Sequence, residues 1–117
     1  MKILMPQEIE VWYVIPAIRR ELAKVMAGRG MTQKKIAERL GVTEAAISQY
    51  MKSKRASGVK FNEQLMNEIS RSAEMIASGS CVVKETQRIC DICKTNLTLC
   101  EIHRMHGAPG ENCRACL

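Results

Sequence analysis

The stretch Thr32–Tyr50, TQKKIAERLGVTEAAISQY, carries two helical periods with a break between them. Thr32 is suited to cap the first helix, because its hydroxyl can accept from an unpaired first-turn amide. Ile36, Ala37 and Leu40 then recur on one face. Gly41 follows at the point where a left-handed residue ends a helix without the penalty of a Cβ. Val42 can pack into the angle, and Thr43 caps a second helix with Ala46, Ile47 and Tyr50 as its apolar stripe. Glu44, Ala45, Ser48 and Gln49 are left facing outward. Small Ala37 at the crossing lets the two helices approach closely.

Two short helices joined in this way make a helix-turn-helix. Gln33, Ala37, Gly41 and the run Val42–Ser48 resemble the repressor-type regulators, the phage-repressor and Cro-like (XRE) class, over roughly residues 18–76. The resemblance implies that the second helix enters the major groove of double-stranded DNA. It makes Gln33 a phosphate contact and Thr43, Glu44, Ala45 and Ser48 base-edge candidates, with Gln49 on the same outward face. In such regulators the segment after the second helix follows the phosphate backbone, which adds Lys52, Lys54 and Arg55 as cationic candidates. A protein-binding role in the transcription machinery is the alternative, since a similar domain occurs in a coactivator.

Charge supports the nucleic-acid reading. Residues 1–60 carry twelve Lys/Arg against five Asp/Glu, whereas residues 61–117 carry six against seven. The net charge of +6 is therefore concentrated on the half that holds the motif, as phosphate binding requires. With four aromatics among 117 residues, the core is expected to be aliphatic and the fold all-α. No apolar run reaches the ~18 residues that cross a bilayer. Val11–Ile15 is too short and poorly flanked for a signal peptide. These features predict a cytoplasmic chain with no membrane partner. We find no catalytic constellation and no small-molecule substrate motif, so an enzyme is not expected.

Outward from the motif, Pro6 fits a first helical position, and Pro16 is expected to break or kink the helix that follows it. Ile18, Leu22, Val25 and Met26 predict a helix ending near Gly28 and Gly30, with Arg19, Arg20 and Lys24 on its polar side. Trp12 and Tyr13 are read as core, with a dimer contact as the alternative. Phe61, Leu65, Ile69, Ala73 and Ile76 predict a helix opened at or near Asn62 and closed by Ser78-Gly79-Ser80. The expected division is an N-terminal helical addition (1–15), a DNA-binding domain (16–79) and a cysteine-rich tail (80–117). Two-fold operators are usual for this motif, so a homodimer is expected.

All six cysteines lie in the last 37 residues: Cys81, Cys90, Cys93, Cys100, Cys113 and Cys116. In a reducing compartment such a cluster points to metal or redox chemistry rather than to structural disulfides. Cys90/Cys93 and Cys113/Cys116 are paired at two-residue spacing, nineteen residues apart, within the range of four-thiolate zinc sites. The spacing lets both sulfurs of a pair turn to one ion, with the intervening amides free to bond the thiolates. A second quartet, Cys81, Cys90, Cys93 and Cys100, would suit an iron–sulfur cluster. Residues 89–93 and 99–104, set behind this N-terminal domain, are similar to a group of archaeal regulators with ascribed iron–sulfur binding. That resemblance implies a cluster, of the four-iron four-sulfur type, sensing redox state, oxygen or iron. Structural zinc and a dithiol switch stay open. His103 and His106 are read as hydrogen-bonding residues rather than ligands. The tail is expected to lack an apolar core and to depend on its ligand for folding.

Overall fold

The structure, a computed structural model, describes residues 3–52, 59–95 and 98–106. Among them the fold is all-α: α1 (Pro6–Ile9), a π-helical turn (Glu10–Val14), α2 (Ile15–Gly28), α3 (Gln33–Leu40), α4 (Glu44–Met51), α5 (Glu63–Ala77), α6 (Val82–Thr95) and α7 (Thr98–His106). Pro6 occupies the first turn of α1, where its missing N–H costs nothing, and the Met5 amide donates to Glu8 Oε1 at 2.9 Å.

Pro16 does not break the helix. The Ile15 amide reaches back five residues to the Glu10 carbonyl, and this wider turn carries the chain through without interruption from Pro6 to Gly28. A π turn is one of the few ways a helix absorbs a proline, because it displaces the carbonyl that the ring would strike. Helix α2 closes on Gly30, at φ 89°, with the Met31 amide donating to the Met26 carbonyl. Asn62 caps α5 by accepting from the Leu65 amide at 2.9 Å. Gly79, at φ 107°, ends it.

Helix α2 is the central pillar and packs against α3, α4, α5 and α6. Its buried face, Ala17, Ile18, Leu22, Ala23 and Met26, meets Ile36, Leu40, Ile47, Leu65, Ile69 and Ile76 in one core. Arg20 departs from the expected polar side: it is buried, donates through Nη2 to the Val59 carbonyl at 2.6 Å, and pairs with Glu21 at 2.9 Å. Its guanidinium satisfies a backbone acceptor that would otherwise be left bare where the chain returns toward α5. Trp12 is half-exposed rather than core, within the π turn and next to exposed Val11.

The segment that follows Gly79 also differs from expectation. Helices α6 and α7 bury Ile89, Cys90, Cys93, Leu99 and Ile102 in the same core as the N-terminal helices. Polar contacts seat them. Glu85, Ser72 and Arg88 bond one another, and Arg88 also pairs with Glu68, so α6 is fixed along α5. The His103 Nε2–H donates to the Leu4 carbonyl, and His106 stacks on Tyr13 with ring centroids 3.9 Å apart. Helices α6 and α7 thus share the apolar core of the N-terminal helices.

Candidate nucleic-acid interface

Helices α3 and α4 are each set by a threonine. Thr32 Oγ1 accepts from the Lys35 amide at 3.2 Å, and Thr43 Oγ1 accepts from the Ala46 amide at 3.1 Å. Between them Gly41 adopts φ 69°, ψ 34°, and Val42 follows with its amide on the Ala37 carbonyl at 3.1 Å. This left-handed closure fixes the angle at which α4 leaves α3. Ile36, Ala37 and Leu40 of α3 and Ala46, Ile47 and Tyr50 of α4 are buried, as their spacing predicts.

The opposite side of α4 is open to solvent. Thr43, Glu44, Ala45 and Gln49 are exposed, Ser48 is half-buried at the edge of this face, and Lys52 is exposed just past the helix end. Gln33 is exposed at the start of α3, and Lys34 and Lys35 beside it are exposed as well. These two lysines were not singled out from sequence, although their place next to Gln33 was the available signal. Lys54 and Arg55 lie outside the described residues. The observed face combines short and amide side chains and the Glu44 carboxylate with flanking cations; such side chains can meet base edges and phosphates.

Residues 22–60 match the Helix-turn-helix family. This segment is a helix-turn-helix domain. The family is one of DNA-binding regulators. The matched residues run from Leu22 of α2 through α3 and α4 to Lys60, so the match takes in the second half of the pillar helix and both helices of the open face. Comparison with curated proteins and with solved structures returned no match. No helix among the described residues is long and apolar enough to cross a membrane.

The described cysteines lie on or next to α6 and α7, C-terminal to the helix-turn-helix domain. Cys90 and Cys93 share the buried face of α6, Cys100 is half-buried on α7, and Cys81 is exposed just before α6. Burial pushes the Cys90 thiol up to about 11, with the Glu10 carboxylate adding to the rise and Lys94 opposing it. Burial pushes Cys93 to about 12, with the neighbouring Cys90 and Glu10 acting the same way. Both are therefore protonated at neutral pH and pack as small apolar side chains.

The intervening amides of Asp91 and Ile92 lie inside a continuous helix. Their donors go to the helix itself, contrary to the expectation that they are free for thiolates. Nine residues of rise put Cys81 about 13 Å along the axis from Cys90. The structure thus brings Cys90 and Cys93 together and places Cys81 apart. Cys113 and Cys116 lie outside the described residues, and among those described no group of three or more His, Cys, Asp or Glu is arranged to hold a metal ion. As a donor set, Cys90 and Cys93 offer two soft sulfurs three residues apart on the buried face of α6; a four-thiolate site would need two more.

Proposed function

We propose that the chain is a sequence-specific transcriptional regulator of the repressor type, reading double-stranded DNA with α4. The observation that carries this is the exposed face Thr43, Glu44, Ala45 and Gln49, capped into position by Thr43 and flanked by Gln33, Lys34, Lys35 and Lys52. Thr43, Glu44, Ala45, Ser48 and Gln49 address base edges, and the cations, with Lys54 and Arg55, address phosphates. The chain acts as a homodimer on two-fold sites. Exposed Ile3, Met5, Val11 and Trp12, an apolar group around the N-terminal helix, support that assembly.

The cysteine segment is proposed to hold a metal centre on Cys90 and Cys93 together with Cys113 and Cys116, with Cys100 or Cys81 able to substitute in a cluster; an iron–sulfur cluster is preferred to zinc. Such a centre supplies redox or oxygen sensitivity if it is a cluster, and a structural clasp if it is zinc. Glu10 and Lys94, paired at 3.4 Å beside Cys90, and the packing of α6 on α2 connect this region to the DNA-binding domain. Anaerobic purification with iron, sulfide and zinc analysis tests the centre. Brown, air-bleached protein supports the cluster, and colourless protein with stoichiometric zinc supports the alternative. Metal-free protein would contradict both. For DNA, replacing Gln33, Gln49 and Lys52 together by alanine should abolish binding to a selected duplex without lowering Tm. Unchanged affinity would favour a protein partner instead.

A further inference from the structure

The turn of the helix-turn-helix domain forms one wall of a half-open pocket of about 340 Å³, at the low end of the ~300–1,000 Å³ range of small-molecule sites. Ile15 of α2, Leu40 at the end of α3, and Val82 and Val83 at the start of α6 supply its apolar lining. Arg19 and Thr86 face the same space from α2 and α6.

Three features give this pocket a sign. Arg19 is half-buried and makes no hydrogen bond or ion pair among the described residues. The acids closest in sequence to Arg19 and Thr86 are engaged elsewhere: Glu21 pairs with Arg20, and Glu85 with Ser72 and Arg88. Thr86 is only 9% exposed, and its hydroxyl makes no hydrogen bond to another described residue. Val82 and Val83 are also the first residues of α6, so the unpaired amides and positive end of a 14-residue helix border the pocket. No acidic residue lines it.

We infer that this pocket binds a small organic carboxylate with an apolar body. The carboxylate meets the Arg19 guanidinium and the Thr86 hydroxyl, and the hydrocarbon lies against Ile15, Leu40 and Val82. Nothing in the DNA reading assigns this site, and none of the residues proposed to face DNA lines it. Its wall is nonetheless the Leu40-Gly41 turn that aims α4, which makes it a place for an effector.

The test is a titration of the full ¹⁵N-labelled chain, without DNA, using benzoate and 4-methylpentanoate beside benzamide and 4-methylpentanamide. Saturable amide shifts confined to the neighbourhood of Arg19, Gly41, Val83 and Thr86 are expected with a carboxylate, at least tenfold weaker with its amide. Arg19→Gln should weaken carboxylate binding at least tenfold, and Arg19→Lys should retain part of it. Thr86→Val provides a second variant that keeps shape while removing the hydroxyl, and should also weaken binding. No saturable shift with either carboxylate would overturn the assignment. So would equal binding of acid and amide, or wild-type affinity in Arg19→Gln.

Discussion

Gly41 shows how much one backbone angle decides in this chain. It sits at φ 69°, and a Cβ built there meets nothing within 4 Å, so a Cβ would be opposed by backbone strain rather than by a clash. Gly41→Val should therefore destabilise by about 1–2 kcal/mol, visible as a Tm lowered by roughly 5–10 °C. Gly28 is the matched control: it is helical, equally open, and free of positive φ. Gly28→Ala should leave Tm unchanged or slightly raised. The role of Gly41 was legible from its neighbours, Leu40 and Val42, because a helix stop has a local code. That of Arg20 was not, because its partner, the Val59 carbonyl, is 39 residues away. The cysteines offer a further check. In metal-free reduced protein, iodoacetamide should modify exposed Cys81 well before buried Cys90 and Cys93, with Cys100 between them. Peptide mapping that finds Cys90 or Cys93 modified first would contradict their burial in α6.

Helix α6 depends on a polar network as well as on its apolar stripe. Glu85 is buried, and its carboxylate is held by Ser72 at 2.8 Å and by Arg88 at 3.4 Å. Arg88→Ala removes the cation from that buried carboxylate and should cost about 2 kcal/mol, measured by denaturant unfolding. Hydrogen exchange should show the loss concentrated in α6 and α7. The partner Glu68 adds a pH dependence. Its hydrogen bond from Arg88 holds its carboxyl below the ordinary value of 4.5, while partial desolvation opposes. A depressed folded value means that the contribution is complete above the ordinary value and is lost as pH falls through the depressed one. Wild-type Tm should accordingly drop more steeply below pH 4.5 than that of Glu68→Gln. This network also explains why α6 was hard to read. Its buried face, Glu85, Thr86, Ile89, Cys90 and Cys93, mixes polar residues and cysteines, so an apolar count sees little and the Cys-x-x-Cys spacing draws the eye. Helices α3, α4 and α5 bury almost wholly aliphatic faces and were legible for that reason. The π turn before Pro16 was not, because no residue type encodes a wider turn as a proline encodes a break.

At the scale of the described residues, the proposed DNA-reading face of α3 and α4 rests on α2, and α6 and α7 pack into the same core. Such a body should bind DNA with strong salt dependence, each neutralised phosphate adding about −0.9 to the slope of log affinity against log salt. Replacing both Lys34 and Lys35 by alanine should flatten that slope by roughly 2 while leaving the preferred sequence unchanged. Glu44 and Gln49 should behave in the opposite way, altering preference by about 1–3 kcal/mol for each lost base contact. The most direct measurement is selection from a random duplex pool by the wild-type chain and by Glu44→Ala and Gln49→Ala, with affinities for the winning duplexes read by fluorescence anisotropy. The proposed reading predicts that the wild-type chain enriches a two-fold related sequence and that each α4 variant shifts or loses the preference at particular positions. A pool with no enrichment, or the same winning sequence from all three proteins, would contradict base reading by α4.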